Sequence, residues 1–208
     1  REDGSILYKL VSSKWMTSLL AWMNYDFPAG RWLTGADGFI KKCKIDTSEF
    51  YDLAESLTSA RKFFERKIKY WQCRPMAEDE HLVVSPADSR VIIGSFKEES
   101  LLFIKEKFFS LSDLLGNVDK WVEIFRDGDF AIFRLTPDKY HYSHVPASGL
   151  VVDFYELDGA YNSCNPAAVV AVSESYSKNK RVVTIIDTDV EGGTNCGRVA
   201  MIEVAALM

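Results

Sequence analysis

A change of pattern at Pro75 constrains the fold of this chain more than any other feature. Before it, apolar residues recur at helical spacing. After it come short β-rich runs separated by turn residues: Leu82-Val83-Val84, Val91-Ile92-Ile93, Phe130 to Leu135, Leu150-Val151-Val152, Val182 to Ile186 and Val199 to Met208. One small helix, Ser112 to Leu115, interrupts the series. Runs this short, with no alternating long helices, predict antiparallel pairing and an α+β fold. The expected organisation is a helical N-terminal region, residues 1–75, packed on a mainly antiparallel, barrel-like β domain, residues 76–208.

In the first part, Leu7, Val11, Trp15, Leu19 and Trp22 form a stripe on one helix face. Phe27-Pro28-Ala29-Gly30 ends that helix, and a second is predicted from Arg31 to Lys42. Asp46 or Thr47 caps a third, with Glu49 in its first turn, and a fourth covers about Ser59 to Lys67. The stripe fits packing on the domain's own core. It also fits an interfacial helix with Trp15 and Trp22 at the level of lipid headgroups. Lys41, Lys42 and Lys44, and later Arg61, Lys62, Arg66, Lys67 and Lys69, would then meet anionic lipid.

With 47% hydrophobic residues, the 208-residue chain can bury a sizeable core. Its net charge of −5 argues against nucleic-acid binding by overall charge. Cys43, Cys73, Cys164 and Cys196 follow no disulfide or zinc spacing and read as reduced thiols. No signal peptide is visible, and no apolar run reaches bilayer-spanning length. The chain starts at Arg1 and stops inside the apolar run Val204 to Met208, which reads as a fragment at both ends.

Two of the three histidines, His141 and His144, fall in Tyr140-His141-Tyr142-Ser143-His144-Val145-Pro146. Imidazole titrates near neutral pH and suits proton transfer, although a packed structural histidine is the plain alternative. A metal site would need further ligands, and no Cys-x-x-Cys, His-Glu-x-x-His or adjacent acidic cluster supplies them.

Several segments, in order, resemble the phosphatidylserine decarboxylase family across roughly residues 5 to 208. Phe63-Phe64-Glu65-Arg66-Lys67-Ile68-Lys69 with Arg74-Pro75 is similar to its Phe-Phe-x-Arg-x-Leu-Lys stretch ending in Arg-Pro. Val84-Ser85-Pro86-Ala87-Asp88 resembles its Ser-Pro-Ala-Asp-Gly motif. Lys105, Phe109-Ser110-Leu111 and Leu114-Leu115-Gly116 resemble a Lys-Gly-x-x-Tyr-Ser-Leu-x-x-Leu-Leu-Gly segment. Phe133-Arg134-Leu135, Tyr140-His141 and His144-Val145-Pro146 resemble a Phe-Arg-Leu…Tyr-His-Arg-x-His-x-Pro signature. Asn165-Pro166 and Asn179-Lys180-Arg181-Val182 resemble elements that follow it.

The resemblance implies a pyruvoyl enzyme. In the family, a precursor cuts itself at a Leu-Gly-Ser-Thr-type motif, and the serine becomes the pyruvoyl group of a small subunit. That carbonyl condenses with the substrate amine and takes up electrons as carbon dioxide leaves. By this match, Asp88, His144 and the serine form the self-cleavage triad, with the logic of a serine-protease triad. His141 assists decarboxylation by proton transfer or substrate positioning. Unaided by the resemblance, Asp88 reads more readily as a turn-capping residue after Pro86 than as a catalytic one.

The partners so implied are the protein's own C-terminal small subunit, a phospholipid substrate and a membrane surface, with no nucleic acid and with a homodimer left open. The implied location is cytoplasmic, peripheral at the inner membrane surface. No Gly-Ser pair here fits the processing motif, since Gly94-Ser95 falls in a predicted strand, so these 208 residues are not expected to make the group alone. Ser89 in place of glycine, Tyr142 in place of arginine, Glu106 or Lys107 near a usual glycine, an apparent insertion at Val190–Cys196 and Ala205 in place of glycine mark a divergent member. Two other readings follow from these departures: a decarboxylase of a free amino acid such as tryptophan, or a non-catalytic lipid-surface relative.

Overall fold

The computed structural model describes residues 14–22, 44–53, 56–97, 101–104, 107–136, 138–159 and 179–205. The chain divides into two compact units. One holds residues 1–17, 92–132 and 147–208, and the other holds 18–91 and 133–146. The α+β class is as expected. Among the described residues the strands form three small sheets, and none closes into the barrel-like layer that was expected.

In the first unit, β5 (Leu150–Leu157), β6 (Arg181–Asp187) and β7 (Arg198–Val204) form an antiparallel sheet with β6 at its centre. β6 is central because it is apolar on both faces. Val183 and Ile185 are buried on one side, and Ile186 on the other. Against the first face lie Leu115 and Trp121, brought there by α4 (Leu111–Leu114) and α5 (Asp119–Phe125). Burying each of these side chains contributes roughly 1.5–3 kcal/mol. Trp121 Nε1 donates to Asp153 at 2.8 Å, which satisfies the one polar atom of the indole.

The hairpin of β2 (Leu101–Ile104) and β3 (Lys107–Ser110) runs directly into α4, whose first turn is capped by Ser110. The apparent insertion at Val190–Cys196 forms the ordered β6–β7 connection. Buried Thr188 bonds Gly197 and Cys196, and Thr194 exchanges two hydrogen bonds with Ser148. Gly193 packs so closely on the Thr188 carbonyl that a Cβ there would overlap it. β1 (Arg90–Ser95) pairs with β4 (Asp129–Arg134), so Gly94-Ser95 lies in a strand as expected.

The second unit is built from short helices. Asp46 caps a 3-10 turn, Thr47–Glu49, by accepting from the Ser48 N–H. Ser59 caps α2 (Ala60–Phe64), and α3 (Tyr70–Cys73) follows. An isolated antiparallel bridge joins Phe50 to Ile68, and these two pack with Leu57, Phe63 and Tyr140 as the core.

Three expectations are corrected. Leu82-Val83-Val84 is a loop: Leu82 and Val83 are exposed, and the described ladder bond is Val84 N–H to Pro146 O at 2.8 Å. The helix expected over Ser59 to Lys67 stops at Phe64, because the chain then turns to form the Phe50–Ile68 bridge. On α1 (Lys14–Ala21) and just beyond it, Trp15, Leu19 and Trp22 are exposed, so this part of the stripe does not supply the expected packing. Leu7 and Val11, the break at Phe27–Gly30, the helix Arg31–Lys42 and the segments with Lys105, Glu106 and Asn165-Pro166 lie outside the described residues. No helix among the described residues is long and apolar enough to cross a membrane.

Candidate active site

The sequence singled out Asp88, His141 and His144, and all three fall in the second unit. Two loops carry them. The loops run alongside each other, because Val84 N–H donates to Pro146 O and His144 N–H donates to Pro86 O, each at 2.8 Å. This pattern zips Val84-Ser85-Pro86 antiparallel to His144-Val145-Pro146. The Ser-Pro-Ala-Asp and His-x-Pro segments are therefore joined at the backbone, although more than 50 residues separate them in sequence.

The side chains meet different partners. Asp88 is mostly buried and pairs with Arg74 Nε at 3.3 Å, with Lys139 Nζ at 4.0 Å from its other oxygen. Arg74 also holds Glu49 through both terminal nitrogens, at 3.1 and 3.4 Å. The hydrogen bond to Glu49 is the main reason the guanidinium titrates above its ordinary value. Nε2 of His144 lies 2.6 Å from the hydroxyl of buried Tyr140. Burial, and then the Asp88 charge, push the Tyr140 phenol above its usual range.

His141 stacks on Phe64 with ring centroids 3.6 Å apart. Burial, and next the nearby Arg66 charge, bring its pKa down from 6.5 to about 4. Its imidazole is therefore neutral at physiological pH. Its Nδ1 is buried and without a hydrogen-bond partner among the described residues. Arg66 itself is almost wholly buried, between the Phe50 and Phe63 rings, and donates to the Phe63 and Asp138 carbonyls.

A cavity of about 170 Å³ opens on this unit, with Arg66, Arg74, Asp88, Lys139 and Tyr140 in its wall. It is charged in both senses, which suits a small polar or zwitterionic group better than an acyl chain.

Of the two departures near the site, Tyr142 finds local contacts, while the buried Ser89 hydroxyl has no hydrogen-bond partner among the described residues. Ser89 keeps a negative φ, so the loop makes no use of a glycine's left-handed freedom there. Tyr142 stacks on Tyr140 and reaches the Glu65 carbonyl at 3.4 Å. Sequence reasoning placed Arg66 and Arg74 in the Phe-Phe-x-Arg and Arg-Pro segments, gave Arg74 no role and offered Arg66 to anionic lipid, an expectation corrected by its burial at 4% exposure. Glu49 was read only as a first-turn acid. The available signal was the conjunction of buried-type motifs with arginine, a side chain that enters a core only when its donors are matched.

A family model described as phosphatidylserine decarboxylase matches residues 60–208. The chain is 37% identical over 171 residues to phosphatidylserine decarboxylase proenzyme 2 of Oryza sativa subsp. japonica, covering 80% of this chain and 26% of that protein. It is 36% identical over 170 residues to the phosphatidylserine decarboxylase proenzyme of Ruminiclostridium cellulolyticum, covering 81% and 54%. With the proenzyme of Vibrio cholerae it shares 34% over 153 residues, covering 73% and 53%. The chain therefore belongs to the phosphatidylserine decarboxylase family, a family of carboxy-lyases. It spans about half the length, or less, of these curated relatives.

Proposed function

We propose that this chain is the large-subunit portion of a self-cleaving, pyruvoyl-dependent enzyme that converts phosphatidylserine to phosphatidylethanolamine. The observation that carries this reading is the backbone zipper between the Asp88 loop and the His144 loop, found within a chain of this family. Two separate features support a pyruvoyl group and its substrate, since neither histidine lines the cavity. The orphaned, buried Nδ1 of neutral His141 needs a polar partner, and the mixed-charge cavity suits a serine headgroup. When bound, the group supplies the electron sink for loss of carbon dioxide.

The chain's own residues handle orientation and protons. His144 is the base of maturation, taking the proton of the attacking hydroxyl, and Asp88 orients that imidazole and stabilises its charged form. This requires Asp88 to exchange its Arg74 contact for His144, or to act from beside it. His141 works as a neutral imidazole, donating or accepting one hydrogen bond at the reacting headgroup. Half-buried Phe64 and buried Arg66 beside it limit water. Partners on this reading are the small subunit and a phospholipid at the cytoplasmic face of the inner membrane. Exposed Trp15 and Trp22 in the N-terminal region 1–75 support membrane contact.

The test is expression of the complete reading frame followed by intact mass measurement and a phosphatidylserine decarboxylation assay. Cleavage to a pyruvoyl-blocked small subunit is expected. His144→Ala and Asp88→Ala should abolish it, while His141→Ala should permit cleavage and lower turnover. An uncleaved wild-type chain would overturn the reading.

A further inference from the structure

Aromatic side chains that the reaction above does not use form a continuous path across the second unit. Tyr51 meets Trp71 edge to face at 6.1 Å between centroids. Trp71 meets Tyr70 in the same manner at 5.4 Å. Tyr70 in turn lies 5.2 Å from the His144 ring. The path is open to solvent for most of its length: Tyr51 is 59% exposed, Trp71 52% and Tyr70 38%, with Leu53 beside Tyr51 in sequence at 77%.

The local fold produces this exposure. The bridge between Phe50 and Ile68 turns both inward to the core. Neighbours along an extended segment point the other way, so Tyr51 and Lys67 face outward. The Tyr51 N–H to Lys67 O bond, 3.0 Å, holds them opposite one another. Glu49 is committed to Arg74, the Lys69 ammonium donates to the Ser48 carbonyl at 3.3 Å, and exposed Lys67 stands opposite Tyr51 at this edge. Tryptophan and tyrosine with an apolar body and a polar tip, bordered by lysine, match the chemistry of an anionic bilayer's headgroup layer.

We propose that this patch is the surface on which the protein meets an anionic lipid bilayer, with Tyr70 the last ring between the lipid and His144. The proposal rests on the lipid-substrate reading above and names the face that receives the lipid. It differs from the N-terminal stripe of Trp15 and Trp22, since its rings run in contact to the His144 ring.

The experiment uses the full-length protein and its double variant Tyr51→Ser/Trp71→Ser, whose changes leave the Phe50–Ile68 core untouched. Three readouts are taken: sedimentation with phosphatidylserine/phosphatidylcholine vesicles, self-cleavage by mass, and turnover of a soluble short-chain phosphatidylserine. The variant should lose about tenfold or more in vesicle affinity, as expected when interfacial aromatic area is removed. Wild-type binding should weaken with added salt. Self-cleavage and soluble-substrate turnover should stay at wild-type levels. Unchanged vesicle affinity overturns the proposal, and so does loss of the small subunit on purification, which would make the patch a subunit interface. A wild-type protein that decarboxylates neither substrate defeats the reaction reading alone, because vesicle binding is scored separately.

Discussion

The hydroxyl of Tyr140 lies 2.6 Å from Nε2 of His144, the shortest contact either motif histidine makes with a side chain. Burial keeps the phenol protonated, so it is the natural donor and Nε2 the acceptor. The ring proton then sits on Nδ1. A triad uses the same tautomer, with Nδ1–H towards the carboxylate, and Tyr140 must then yield Nε2 to the hydroxyl to be activated. Tyr140→Phe keeps the buried ring and removes that donor. Stability should drop by about 0.5–1.5 kcal/mol. Nitrogen NMR of His144 should change from one tautomer to a mixture, and self-cleavage of the full-length protein should slow. Retention of a single tautomer in the variant would refute this role for Tyr140.

Arg74 ties Asp88 to Glu49, residues 39 positions apart in sequence. The network is partly solvated, with the arginine side chain 37% and the Asp88 side chain 17% exposed, so its net worth is modest. Arg74→Met should cost about 1 kcal/mol. It leaves the Lys139 ammonium, at 4.0 Å, as the cation beside Asp88 among the described residues. Urea denaturation of wild type and variant checks the loss. Arg74→Lys should recover part of the stability, since it restores the charge without the planar fork.

What the sequence made legible was local. The caps at Asp46 and Ser59 and the short helix near Ser112 depend on neighbours within a few residues, and each is present to within a residue or so at its start. The run Leu82-Val83-Val84 has strand-like letters, but its described cross-strand bond is a single one to Pro146 and it remains a loop. Helix α5 was missed although Trp121, Val122 and Phe125 carry helical spacing, because the segment is only seven residues long. The β2–β3 hairpin was read for its motif residues and not for its pairing. At the site, Asp88 and the two histidines were found through their motifs. Their immediate partners were not, because the contacts of Arg74 with Glu49 and Asp88 follow from tertiary packing and leave no periodicity in the sequence.

His141 should imprint a pH dependence on stability. A histidine in the unfolded chain titrates near 6.5. In the folded protein, burial and the Arg66 charge delay protonation until about pH 4. Between these values the unfolded chain binds a proton that the folded protein refuses, so stability falls as pH drops from 6.5 towards 4. Above 6.5 the contribution is flat. His141→Phe, which keeps an aromatic ring against Phe64, should remove this component of the slope. Urea midpoints measured from pH 4 to 7 for both proteins decide the matter, and equal slopes would count against the depressed pKa.

Arg181 offers the strongest stability test outside the site. It is 7% exposed and donates to three main-chain carbonyls, those of Leu114 at 2.9 Å, Asn179 at 2.8 Å and Asp113. Two of these are carbonyls at the end of α4, and the Asp113 oxygen also accepts from Gly116 N–H at 3.2 Å. The guanidinium therefore fastens α4 to β6 and holds Leu115 in the core beside Val183 and Ile185. Its burial lowers its pKa, yet the matched carbonyls keep the charge tolerable. Arg181→Met fills similar space and takes the guanidinium donor from all three carbonyls, of which Asp113 keeps its Gly116 partner, at a cost of about 2–4 kcal/mol. Arg181→Lys can reach only part of the set and should fall between. Hydrogen exchange should accelerate first at the Leu115 and Asn117 amides, which bond back to Leu111 and Ser112. A methionine variant within about 0.5 kcal/mol of wild type would mean that α4 is held by its apolar contacts alone.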